Sequence, residues 1–140
     1  MREILFRGKR SDFIGGWVYG WYQPPVKWGN HNFGTSMSHF CDEGWLDDTE
    51  VIPETVGQYT GMTDQNDANI FEGDIVEAVL TEGTHGGFSW GRHVVIFDQG
   101  AFCLKDRRGM NTPMCNYSAS VKFKVLGNIH DNPELMEVSE

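Results

Sequence analysis

An all-β fold is predicted by three observations. Aromatic residues make up 13% of the 140-residue chain and glycine supplies 17 positions, a mixture that suits twisted strands joined by tight turns. Ile75-Val76-Glu77-Ala78-Val79-Leu80 is apolar on nearly both faces, as a core strand is. Val121, Phe123 and Val125 alternate with Lys122 and Lys124, the period of a half-buried strand. A chain of this length holds one compact domain or two small lobes sharing a core, and buries roughly 70% of its unfolded surface.

Taken in order, Ile4 and Phe6 fall on one side of an extended segment, Gly15-Gly16 turns the chain, and Trp17–Tyr22 returns, which together predict an N-terminal hairpin. Pro24-Pro25 must stop or edge the second strand, because neither proline donates to a ladder. From Gly29 to Gly44 the chain is polar and rich in Gly, Asn and His without clear periodicity, and an irregular loop is expected there. Gly57 and Gly61 bracket a short extended piece. Asp64-Gln65-Asn66-Asp67-Ala68-Asn69 has the chemistry of a turn, Ile70-Phe71 that of a brief strand, and Glu72-Gly73-Asp74 turns into the core strand.

Val94–Phe97 and Ala101–Leu104 form a hairpin around Asp98-Gln99-Gly100. After Val121–Val125 the chain turns at Gly127-Asn128, and a short helix is expected from Pro133, with Asn132 as its cap and Glu134 at its positive end. The expected core contains Val76, Val79, Val95, Phe97, Phe102, Phe123 and Val125. Composition shifts gently near residue 55, so two regions, 1–55 and 56–140, are expected to form one integrated domain or two lobes.

Eleven Lys and Arg stand against twenty Asp and Glu, a net charge of −9. A polyanionic partner meets net repulsion unless a local patch overrides it. Arg7-Gly8-Lys9-Arg10 is the densest basic cluster and is too small to make nucleic-acid binding the default reading, and duplex DNA is not an expected partner. Charges interrupt the apolar stretch of Met1–Arg7, and no later run is long enough to span a bilayer, so a cytoplasmic protein without a membrane partner is expected. Cys41, Cys103 and Cys115 contain no C-x-x-C pair and are expected as reduced thiols.

Three stretches then form a recognisable pattern: Glu3-Ile4-Leu5-Phe6-Arg7-Gly8-Lys9-Arg10, Trp17-Val18-Tyr19-Gly20, and Thr55-Val56-Gly57-Gln58-Tyr59-Thr60-Gly61. The block from Gln58 through Asp64, Asn66 and Ile70-Phe71-Glu72-Gly73-Asp74-Ile75-Val76 extends it, and Leu126–Leu135 agrees in order and place. The chain resembles the YopX family of phage and prophage proteins across nearly its whole length. It departs where the family usually has an Asn-Gly pair and this chain has Asn66-Asp67, and over Asn30–Asp48. The resemblance implies a β-rich fold whose residues 56–140 form an SH3-like barrel with a short helical tail, packed with an N-terminal hairpin region. It implies no catalytic residue, no cofactor and no established activity.

Candidate chemistry is sparse. Asp64 and Asn66 suggest a calcium loop, but Ala68 stands where a ligand belongs, Asn69 replaces the required glycine and Ile75 the terminal Glu, so a turn is expected. His31, His39 and Cys41 are borderline-soft metal ligands, with Asp42 or His85 to complete a site, yet their spacing fits no standard metal module. Trp17, Tyr19 and Trp21 share a strand face, which suits either a stacking platform or, as expected for a small β protein, the core. Trp28, Phe33, Phe40 and Trp45, spread through a polar segment, are the expected interaction residues. No triad, carboxylate pair or phosphate loop is legible. An accessory protein acting on a host or phage protein, or on its own copies, is the expectation, with a metal-dependent factor or minor enzyme built on His31, His39 and Cys41 as the alternative.

Overall fold

Side-chain alternation sorts the strands into antiparallel sheets in a computed structural model that describes residues 5–12, 15–28, 30–40, 46–80, 88–117 and 120–137. For Trp28, His31, Phe33 and Phe40 the description covers the backbone alone. The chain divides into two compact units, Met1–Tyr59 and Thr60–Glu140.

In the first unit, Gly15 and Gly16, at φ 73° and 89°, turn the chain between β1 (Phe6–Lys9) and β2 (Trp17–Gln23). This is the expected hairpin, with Arg7 opposite Tyr19 and Lys9 opposite Trp17. β2 ends at Gln23, before Pro24-Pro25.

The expected irregular loop is instead largely strand. β3 (Val26–Trp28) and β4 (His31–Phe33) form a small hairpin, and β5 (Ser36–Phe40) pairs with β2 and with β6 (Leu46–Glu50). The pattern was faint because β5 places Met37 in the core but also buries Ser38, whose hydroxyl donates to Asp48 and accepts from the Gln23 amide. A polar sequence thereby satisfies a strand position without hydrophobic alternation.

The sheet order is β6-β5-β2-β1, followed by the start of β7 (Gly57–Thr63). Val18, Met37 and Val51 form its core, with Phe6 and Val56 packed against them. A Cβ on Gly20 would run into the Ser38 carbonyl, so glycine sets how closely β5 approaches β2.

In the second unit the end of β7 pairs with β8 (Asn69–Phe71), and a five-stranded sheet follows. Its strands are β9 (Asp74–Leu80), β10 (Phe88–Asp98), β11 (Ala101–Lys105), β12 (Asn111–Pro113) and β13 (Val121–Asn128), in the order β12-β11-β10-β9-β13. One face carries Val76, Ala78, Val95, Leu104, Val121 and Phe123 into a core completed by Ile70 and Met114.

Four expectations are corrected here. Val79 lies opposite Lys122 and Ser89, on the other face and only partly buried, because it is one residue out of phase with Ala78. Phe97, at the hairpin end of β10, is 53% exposed and packs edge-to-face on Phe102 with ring centroids 5.1 Å apart. Among the described residues no pairing joins β12 to β13, so the sheet stays open rather than closing as a barrel. The C-terminal helix is a single 3-10 turn, Pro133–Met136, and Asn132 makes no side-chain cap bond to it.

Asp64 organises the turn between β7 and β8. Its Oδ1 accepts from the amides of Asn66 and Ala68 at 2.8 and 2.9 Å, and its Oδ2 accepts from the amide of Val125 at 3.1 Å. Burial pushes the carboxyl up, but the three amides outweigh it and hold the pKa below the ordinary 3.8. Asp67 follows at φ 65°, in the left-handed region that Asp tolerates and glycine prefers.

Two outcomes are expected. Asp67→Gly raises stability by about 0.5–1 kcal/mol in urea unfolding, the relief of left-handed geometry partly offset by glycine's extra chain entropy. A depressed folded pKa means that the contribution of Asp64 is fully present above its unfolded pKa, near 3.9, and is lost as pH falls through the folded value. Asp64→Asn should therefore be less stable than the wild type at neutral pH, with the gap narrowing on acidification below about pH 4 in unfolding series.

Candidate functional site

The first unit presents an aromatic face because β2 alternates. Val18 turns into the core, so Trp17, Tyr19 and Trp21 turn outward; Tyr19 is 50% exposed and Trp21 47%. The expectation that these rings fill the core is corrected. The interleaved Val18 and Gly20, which occupy the inward phase, were the signal in the sequence.

On β1, the Arg7 guanidinium sits 4.7 Å from the centroid of Trp17, within cation–π range, and Arg7 itself is buried. Lys9 lies opposite Trp17. On the far side of β2, Trp21 lies opposite Ser38, Ser38 opposite Asp48, and Ser36 opposite Glu50. Across this face the order is therefore basic, aromatic, hydroxyl, acidic.

The basic cluster Arg7–Arg10 is not a patch for polyanions. Arg7 stacks on Trp17, and Arg10 grips Asp12 with Nη2 2.7 Å from Oδ2.

The expected metal ligands are not brought together by what is described. His31 lies in β4 and His39 in β5, in separate sheets, and the His39 Nε2 is 2.9 Å from the Thr49 hydroxyl. Cys41 and His85 lie outside the described residues, and among the described residues no cluster of three His, Cys, Asp or Glu forms a metal site. Of the expected interaction residues, Trp28, Phe33 and Phe40 take places in β3, β4 and β5, and Trp45 lies outside the described residues. Cys103 is a buried thiol 3.6 Å from the Ala101 carbonyl, and Cys115 is an exposed one. No helix among the described residues is long and apolar enough to cross a membrane.

The YopX protein family matches the chain over residues 25–137. Among solved structures, the chain is similar to the crystal structure of protein EF1440 from Enterococcus faecalis, with a TM-score of 0.54 and 20% identity over 98% of this chain and 100% of that one. That likeness is one of fold. No curated protein matches the chain.

The Thr49 contact predicts that His39→Ala costs about 1 kcal/mol in urea unfolding, the usual worth of one hydrogen bond. The loss should be the same with and without added zinc; a loss that appears only with zinc, together with bound metal in the purified wild type, would instead make His39 a ligand.

Proposed function

Because the chain belongs to the YopX family, we propose that it is a phage or prophage accessory protein that works in the host cytoplasm by protein–protein contact rather than by catalysis. The observation that carries this reading is the pair Tyr19 and Trp21, each about half exposed on one strand face. Aromatic side chains supply large contact area with few rotatable bonds and are enriched where proteins meet.

A second copy of the chain is the partner this face fits best. Lys9 flanks the aromatic strand on one side, and Asp48 and Glu50 lie beyond it on the other. A two-fold axis parallel to β2 sets the basic side of one copy against the acidic side of the other while the rings meet in the middle.

Sedimentation equilibrium tests it. The wild type should form a concentration-dependent dimer, and Tyr19→Ala with Trp21→Ala should weaken it about tenfold or more, as loss of interface anchors does, with little change in thermal midpoint. Glu50→Lys should also weaken the dimer, and adding Lys9→Glu should restore it. A monomeric wild type, or aromatic variants that lose stability while associating normally, would overturn the reading.

A further inference from the structure

In an antiparallel strand alternate residues turn both their amide and their carbonyl to the same edge. β13 is the outermost strand of its sheet, with β9 on one side. On its other edge the Phe123 carbonyl accepts the Gln65 amide at 2.8 Å, and the Val125 amide donates to Asp64 Oδ2 at 3.1 Å. The Val121 amide and carbonyl and the Phe123 amide therefore point to that edge too. The turn that Asp64 organises closes the edge from the Phe123 carbonyl onward. Among the described residues no group meets the three that precede it.

The chain leaves space beside them. The end of β7, the 3-10 turn Met114–Asn116 and β13 border a cavity of about 360 Å³, with Met62, Met114, Tyr117, Val121 and Phe123 among its walls. That volume is at the lower end of the range for ligand sites. On the opposite face Lys122 is exposed and lies across from Val79, so it has no cross-strand acid, whereas Lys124 lies across from Glu77.

We infer that this edge takes up, as an added strand, a short extended segment of another protein in which an acidic residue stands between two apolar ones. A segment laid antiparallel on β13 exchanges two hydrogen bonds with Val121 and accepts a third from the Phe123 amide. Its residues opposite Val121 and Phe123 send their side chains to the cavity side, and the residue between them stands beside Lys122, where opposite charge is favoured. A second copy is the poorer occupant, because two such edges paired about Lys122 oppose that lysine to its own mate. Lysine at an edge position thus discourages self-pairing and selects an acid. The surface belongs to the second unit and does not depend on the aromatic face of β2.

The test titrates a fluorescein-labelled peptide, Thr-Val-Glu-Val-Thr with blocked ends, with the full chain and reads anisotropy. The wild type should bind it saturably with a Kd below about 1 mM, the range open to three net hydrogen bonds and two small apolar contacts. Methylating the amide of the second valine removes the donor to the Val121 carbonyl and should weaken binding about fivefold. Lys122→Glu should also weaken it about fivefold, and a peptide with lysine in place of glutamate should recover the loss. Val121→Pro removes the edge amide at the first residue of β13, where proline leaves the ladder to β9 intact, and should cost a similar factor. Thermal midpoints are read in parallel; if Val121→Pro unfolds, Lys122→Glu and the methylated peptide decide. Tyr19→Ala with Trp21→Ala should bind the peptide as the wild type does, so this inference and the dimer of the first unit stand or fall separately. Absence of saturable binding, equal affinity for the glutamate and lysine peptides, or indifference to methylation would each overturn the inference. A wild-type dimer abolished by Val121→Pro and untouched by the aromatic variants would also overturn it, making a second copy the occupant.

Discussion

Backbone amides that no neighbouring strand can reach must be met by side chains, and the second unit depends on short acidic and amide groups to meet them. Asp64 accepts from Asn66, Ala68 and Val125. Asp74, almost fully buried, accepts from the amide of Phe71 at 2.8 Å. Asp106 serves Arg108 and Met110, and the Asn128 side chain serves His130 and Asp131. The Val125 bond is the clearest case: register shifts there, between Val125 and Gly127, and Asp64 takes the amide at the irregularity. A buried amide left unmet costs about 1–3 kcal/mol, so at Phe71, where the bond to Asp74 is buried, the carboxylate decides whether the turn closes where it does.

This constraint explains why the family was recognisable and its chemistry was not. The landmark block from Gln58 to Val76 contains Asp64, Gly73 and Asp74, each answering a demand that few residue types can meet. Gly73 sits at φ 93° and donates its amide to the Val95 carbonyl at 2.8 Å. Residues so specified are easy to read in a sequence, and what they specify is geometry. Strand 74–80, the Gln99-Gly100 hairpin and the N-terminal hairpin were legible for the same reason. β5 was not, because its buried Ser38 is satisfied by Gln23 and Asp48, an arrangement with no hydropathy signature. β12, three residues long, has too few positions to show any period.

The candidate surfaces were hidden by averaging. A net charge of −9 counts Asp64, Asp74 and Asp106 equally with exposed acids, although all three point their oxygens at backbone amides. Lys105, Lys122 and Lys124 looked scattered along the chain because adjacent strands draw residues from distant segments. Pairing β13 with β9, β9 with β10 and β10 with β11 puts them on one face with Arg92, which only register reveals. Conversely, the run Arg7–Arg10, densest in sequence, is divided by alternation, with Arg7 stacked on Trp17 and Arg10 turned to Asp12.

The period of two also separates what holds each sheet from what each sheet offers. In β2, Val18 anchors the core while Tyr19 and Trp21 face out; in β13, Phe123 does so while Lys122 and Lys124 face out. Neighbouring residues on one strand therefore answer to different demands, packing on one side and solvent on the other. A substitution at an outward position leaves the inward partner's contacts in place, so the aromatic face of the first unit and the basic face of the second can each diverge without loss of fold.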